Sequence, residues 1–310
     1  MTRIASTVFL LLAVSVVSLA AGEPGQTAIT WQGFADTRAG LTGSDSSLEL
    51  SQIEVSLSAL VTPWLSLDAT LAGDGLDGIG LGAGYMTLKH ASDTVSASLV
   101  AGRFDIPLGL SSSWYASPDN ALPFSVMLND AMVEGWNNAG CMGELGFSSF
   151  TVTLYLVEGG MESITNSDSG RAGGVRLGWK PVDGISAGVS LAASRHDAGR
   201  RFSWVGCDLE AELGPLALAF EYLAKLPDDV WERRSKGGMA QARMDLDALA
   251  GLRLGLIVRG EIVAPRDEEV ERALTLGLTW SHDEKLRLTA AAKLPKTGDT
   301  GLVLQAITSF

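Results

Sequence analysis

The chain carries three histidines, His90, His196 and His282, and imidazole is the side chain most often used as a base or metal ligand. A nucleophile–base pair needs a hydroxyl or thiol within hydrogen-bond reach of the ring, and a metal centre needs further ligands converging on one point. The strand layout developed below sets His90 and His282 beside short turns and His196 at a connection on the opposite end, so the three do not share a site. The run GDGLDGIGLG at 73–82 looks like a phosphate or cation loop. No helix pattern follows it, which excludes a dinucleotide site. It reads better as a glycine turn between strands, with weak ion binding by Asp74 and Asp77 as the alternative. No catalytic residues, cofactor or metal are therefore expected, and an enzyme is not.

The remaining charges fall at regular places. Arg38, Asp36, Glu54, Asp68, Glu144, Arg176, Asp208, Glu210, Arg243, Asp245, Arg253, Arg259, Lys285 and Arg287 all lie in segments that alternate apolar and polar residues, on the polar side of the alternation. Charge of this kind does not catalyse. It lines something that holds water.

The elements that must carry it are strands. Ile53-Glu54-Val55-Ser56-Leu57-Ser58-Ala59, Leu65-Ser66-Leu67-Asp68-Ala69-Thr70-Leu71, Phe150-Thr151-Val152-Thr153-Leu154-Tyr155-Leu156 and Leu286-Arg287-Leu288-Thr289-Ala290 each show a period of two. That period places successive side chains on opposite faces of a sheet. About 16 such segments can be counted, averaging about ten residues, the length of a tilted strand that crosses a bilayer. Seven short connections, such as Thr62-Pro63 and Ser148-Ser149, alternate with eight mostly longer polar ones: 39–46, 74–81, 104–134, 159–169, 197–201, 224–237, 263–271 and 294–300. Transmembrane barrels have this asymmetry. In lipid every backbone group must be paired, so strands persist there only as a closed barrel. Trp64, Trp179, Trp280, Phe147 and Phe150 collect beside the short turns, as an interfacial girdle would. A soluble sandwich with scattered core aromatics does not predict that grouping.

Other features agree. At 46% hydrophobic and 19% charged, the chain is not a disordered polymer. Its net charge of −13 argues against nucleic acid as a partner. Arg3, the apolar run Ile4 to Val17 and the small residues Ser18, Ala20, Ala21 and Gly22 read as a signal peptide over 1–21, leaving 22–310 as a single barrel domain. An uncleaved anchor is the alternative, and the run is short for a span. Cys141 runs in phase with Ala139, Leu145 and Phe147, and Cys207 with Val205, Leu209 and Leu213. Both are expected to face lipid as free thiols.

Residues 48–71 (LELSQIEVSLSALVTPWLSLDATL), 83–90 (AGYMTLKH), 101–109 (AGRFDIPLG), Pro123-Phe124 and 134–140 (EGWNNAG) resemble the porin-like outer-membrane proteins related to the phosphate-selective porin family. The matched pieces cover about a third of the chain in consistent order, and the last three bracket one long connection. The resemblance implies a 16-stranded barrel, often trimeric, with that third outer loop folded into the lumen. It does not carry a phosphate site, since the loop 104–134 holds Asp105, Asp119 and Asp130 and has no Lys or Arg after Arg103. Phe310, ending an amphipathic segment, is similar to the signal that outer-membrane barrels present to their insertion machinery.

The expectation is a bacterial outer-membrane porin surrounded by lipid, passing small hydrophilic solutes or ions by passive diffusion; a 16-stranded barrel leaves an aqueous channel. Alternatives are a substrate-specific uptake barrel for a metal chelate or organic anion, and a non-conducting structural barrel. Candidate constriction residues are Arg103, Asp105, Asp119, Asn120 and Asp130. Candidate wall residues are Arg176, Arg243, Arg253, Arg259, Lys285, Arg287, Glu54, Asp68 and Glu144, with a basic side on strands 12, 13 and 15 and acidic groups mainly on strands 2, 3, 6 and 10.

Overall fold

The computed structural model describes residues 28–74, 78–110, 112, 118–124, 126–128, 137–158, 170–195, 201–227, 235–247, 253–264, 269–282 and 285–310. The expected signal peptide lies outside them, as do Asp77, Asp130, His196, Asp228, Asp229, Asp267 and Glu268.

Sixteen antiparallel strands close into one barrel. They are β1 (Ala28–Thr42), β2 (Asp45–Thr62), β3 (Leu65–Asp74), β4 (Gly80–Ala91), β5 (Val95–Asp105), β6 (Asn137–Phe147), β7 (Phe150–Glu158) and β8 (Arg171–Val182), then β9 (Ile185–Arg195), β10 (Arg201–Leu213), β11 (Leu216–Pro227), β12 (Ser235–Asp245), β13 (Leu254–Ala264), β14 (Glu271–His282), β15 (Leu286–Pro295) and β16 (Gly301–Ser309). Each strand pairs with its sequence neighbours, and β1 closes on β16 from Phe34↔Ser309 to Thr42↔Gly301. Closure leaves no edge strand to recruit another chain. Phe310 extends the seam, exchanging backbone hydrogen bonds of 3.0 and 2.9 Å with Gly33.

The period of two gives the barrel its two faces. On β13, Leu256, Val258 and Ile262 are exposed outward, while Ile257, Arg259, Glu261 and Val263 are buried inward. On β14, Leu274, Leu276 and Leu278 face out and Ala273, Thr275 and Thr279 face in. Cys141 and Cys207 follow the outward phase as free, exposed thiols.

The aromatics gather at the short-turn end. Phe147 stacks on Phe150 with centroids 5.9 Å apart, and Phe150 on Trp179 at 6.5 Å. Trp31 lies 6.1 Å from Phe310, adding two rings to this girdle.

One expected loop is not a loop. Segment 39–46 was predicted as an outer connection, but β1 and β2 stay paired to Thr42↔Asp45 and turn on Gly43-Ser44 alone. Gly43 sits at φ 60°, the left-handed region a two-residue hairpin needs and glycine enters without strain. Arg253 and Lys285 also move. Both precede their strands in turns, at the short-turn rim and not mid-wall.

Candidate functional site: the lumen and its third loop

The connection between β5 and β6, here called L3, leaves the outer strand ends and runs along the inner wall. Its apolar side chains account for this course. Phe104, Ile106, Leu108, Val126 and Leu128 are buried in one cluster with inward-facing Val100, Tyr155, Val157, Ala172, Ala192, Trp204, Leu223 and Met239. Further round, Leu122 packs with Ile257 and Ala291, and Met127 with Val263 and Ala273. Burying such side chains is worth roughly 1.5–3 kcal/mol each, enough to hold a connection that has no ladder of its own.

The wall is shaped for these anchors. A Cβ placed on Gly277 of β14 would sit 2.4 Å from Leu122 Cδ2, and one on Gly237 of β12 would sit 2.7 Å from Leu128 Cδ1. Both glycines occupy inward positions, so each missing side chain is a socket for an L3 leucine.

Polar pins fix the centre of the loop. Asn120 folds 120–124 into a tight turn: its Oδ1 accepts from the Leu122 N–H at 3.2 Å and its Nδ2 donates to the Phe124 carbonyl at 3.0 Å. Arg259 of β13 donates to Asn120 Oδ1 at 2.6 Å, to the Phe124 carbonyl at 3.3 Å and to Gln241 Oε1 at 2.9 Å. Arg287 of β15 donates to the carbonyls of Pro118 and Asn120 at 2.9 and 2.8 Å. Glu261 accepts the Met127 N–H at 2.7 Å. A planar guanidinium can hold several such acceptors at once. Both arginines were expected as pore-wall charges. They stand on the inner wall, but Arg259 is completely buried and each is committed to the loop.

Two more basic residues were expected on the wall: Arg243 of β12, which lines the cavities described below, and Arg176 of β8, which reaches across β9 to Asp208 of β10 in a two-pronged pair of 2.5 and 2.8 Å, with Ser190 Oγ accepting at 3.1 Å. Gly188, beneath the guanidinium, leaves the space it crosses. Arg38 pairs with Asp36 at 2.7 Å, and Gln305 donates to the same carboxylate at 3.0 Å.

The acidic candidates have different partners. Asp68 accepts from Ser58 at 2.5 Å and Ser66 at 3.3 Å, Glu54 from Ser56 at 3.3 Å, and Glu144 from Thr153 at 3.5 Å. Glu210 accepts from Ser186 at 3.4 Å. These donors are neutral hydroxyls, which orient a carboxylate and bring no opposing charge.

At the root of L3, Arg103 donates to Asn137 Oδ1 at 2.5 Å, and Asn137 Nδ2 donates to Asp105 Oδ1 at 2.7 Å. Arg103 and Asp105 thus tie the outer ends of β5 and β6 together. Toward the short turns two adjoining cavities open. One, of about 400 Å³, is lined by Asp119, Glu210, Glu212, Gln241 and Arg243 among others. The second, of about 500 Å³, shares Ala121 and Arg243 and includes Asp245, Arg253 and Arg287. On the loop itself, burial pushes the Asp119 carboxyl above the ordinary aspartate range, Arg287 pulls it back, and Asp105 adds to the rise.

Known structures share this architecture. An anion-selective porin from Comamonas acidovorans aligns with a TM-score of 0.68 at 13% identity, over 92% of this chain and 100% of that one. The fold is that of the bacterial porins. Salmonella typhi OmpF aligns at TM-score 0.70 and 11% identity over 91% of this chain and 97% of that one. A trimer form of Vibrio cholerae OmpT aligns at 0.68 and 9%, over 92% and 100%. No protein-family model and no curated protein sequence matches the chain.

Within this porin fold, sequence reasoning missed the acids that L3 uses. Glu221 of β11 lies against Gly109, where its carboxylate leaves no room for a side chain and the φ of 74° also favours glycine, and Glu261 holds Met127. Their inward parity was readable. Glu261 stands two positions from Arg259 on the same face, and Glu221 stands two from Leu223.

Proposed function

We propose that the protein is a bacterial outer-membrane porin through which small hydrophilic solutes and ions diffuse passively, with a preference for cations. The observation that supports this most is L3 anchored on the inner wall of a closed 16-strand barrel, with cavities of about 400 and 500 Å³ beside it. The outward apolar face and the girdle at the short-turn end suit a bilayer, and that end would face the periplasm. Asp119 and Asn120 belong to the loop that narrows the lumen, and Arg103 and Asp105 brace its root on β5; Asp130 is a sequence-based candidate for the same loop. Glu54, Asp68, Glu144 and Arg243 are wall groups in contact with permeating ions.

The preference for cations follows from how the charges are engaged. Arg259 and Arg287 hold L3 and Arg176 is paired, which leaves Arg243 and Arg253 as cavity cations, against Glu54, Asp68, Glu144 and Glu210, whose partners are hydroxyls. Charged rings and clusters of this kind set selectivity in a pore. The acidic surface also disfavours phosphate as the solute, so any relation to phosphate-selective porins rests on the sequence segments and concerns ancestry, not cargo. A homotrimer fits the fold, and Phe310 is the residue we assign to the insertion signal. No catalytic role is proposed.

Planar-bilayer recording tests the reading. Stepwise conductance that rises linearly with salt is expected, as is a reversal potential of cation-selective sign in a KCl gradient. Well-folded, heat-modifiable protein that gives no steps overturns the porin function. An anion-selective sign overturns the preference alone.

A further inference from the structure

Three arginines stand side by side on the outside of the barrel. Arg171, the first residue of β8, is opposite Arg195, the last of β9, and Arg195 is opposite Arg201, the first of β10. All three are exposed and share the outward phase of their strands, since their neighbours Ala172 and Ser194 are buried inward. Residues directly opposite in an antiparallel sheet have Cβ atoms about 4.5–5.5 Å apart, and like charges so placed repel. Glu158 of β7 faces Arg171 and is the acid next to the pair in the ladder.

The rows beneath give the position its meaning. The next outward row is Leu156, Gly173, Ala193 and Ser203, and the row after that is Leu154, Val175, Leu191 and Val205. Leu154, Leu156 and Leu191 are among the exposed large apolar side chains of the barrel. Two residues advance a strand by about 6–7 Å, so the guanidinium groups sit one small-residue step beyond the apolar belt. That is the depth at which a bilayer changes from acyl chain to headgroup. Below Arg171 and Arg195 the side chains of Gly173, Ala193 and Ser203 are short, and Leu156 Cδ1 lies 3.4 Å from where a Cβ on Gly173 would stand.

We propose that Arg171 and Arg195 form a binding site for the phosphate of an anionic lipid headgroup in the leaflet that surrounds the loop end of the barrel, with Arg201 at its flank. The membrane placement it needs is the one proposed above. An anion between two guanidiniums converts their repulsion into a pair of charge-assisted hydrogen bonds, and arginine suits phosphate because its donors form a rigid fork. The row of small residues lies at the level of the glycerol or sugar that carries the phosphate, and the apolar row below it at the level of the acyl chains.

The test uses the full barrel folded in neutral detergent, titrated with diphosphoryl lipid A in mixed micelles and, in parallel, with phosphatidylcholine. Native mass spectrometry reads retained lipid. The wild type is expected to retain lipid A and not phosphatidylcholine, and Arg171→Gln with Arg195→Gln to weaken retention about tenfold or more. The double lysine variant should recover part of it, because charge returns without the fork. Heat-modifiability and conductance of the glutamine variant should match the wild type, so failure of the lipid site and failure of the porin function are read separately. Equal lipid A retention by wild type and the glutamine variant overturns the proposal. So does displacement of lipid A by millimolar inorganic phosphate, which would mark a free-anion site.

Discussion

The inner wall has two differently treated sides. Along β7 to β15 it is covered: L3 seats its leucines on Gly237 and Gly277, and Arg259 and Arg287 grip its backbone. Along β2 and β3 it carries a ladder of short polar groups, Ser56 to Thr70 at 2.9 Å and Ser58 to Asp68 at 2.5 Å. The covered side spends Arg259 and Arg287 on architecture and leaves Arg243 on both cavities. The open side sets its acids among neutral hydroxyls. Of the basic wall read from sequence, Arg259 is withdrawn from water, while Arg243, Arg253 and Arg287 still line the cavities; a charge acts on permeating ions only where water and ions reach it.

The largest expected disturbance of this contrast comes from Arg259→Ala. It strips donors from Asn120, Phe124 and Gln241 and costs on the order of 3 kcal/mol in unmet buried acceptors. Single-channel records should show higher conductance and more open-channel noise, and the heat-modification midpoint should fall. An unchanged trace would mean that L3 is held without its pin. Gly277→Val comes next. It fills the socket of Leu122 at an overpacking cost of about 1–3 kcal/mol, and since valine suits a strand, the loop and not the barrel should shift. Conductance should change while the thermal midpoint moves less than for Arg259→Ala.

The open side is addressed by Glu54→Gln combined with Asp68→Asn. Isosteric neutralisation keeps the hydroxyl partners and removes the charge. The cation-to-anion permeability ratio from reversal potentials should fall, on the order of twofold, with conductance steps otherwise intact. A smaller effect belongs to pH. Because burial raises the Asp119 carboxyl, it takes up its proton as pH falls before an ordinary aspartate would. Cation preference should decline over that interval in the wild type, and Asp119→Asn should remove that part of the profile. The smallest effect is expected of Cys141→Ser and Cys207→Ser, which face away from both sides of the lumen. Neither should alter conductance, and the native thiols should react with lipid-soluble maleimide and not with an impermeant reagent.

Much of the barrel could be read directly. Alternation over 53–59, 65–71 and 150–156 fixes strands and faces because a strand's side-chain period is a local property of its backbone. The same rule placed Cys141, Cys207 and the aromatics at 147, 150 and 179 correctly. It misjudged 39–46, where pairing between β1 and β2 continued through polar residues to a two-residue turn. Parity shows which face a residue takes and is silent on what else reaches that face.

That silence is where the sequence stops. By itself it determined the strand number, the inward and outward sets, the short-turn girdle and the existence of one long proline-bearing connection. Only the tertiary structure decided which inward charges meet water. Arg259 and Asn120 are 139 positions apart, and Arg287 and Asn120 are 167 apart. No local pattern encodes contacts across a lumen. They exist because closing the barrel brings β13 and β15 within reach of a loop that leaves from β5.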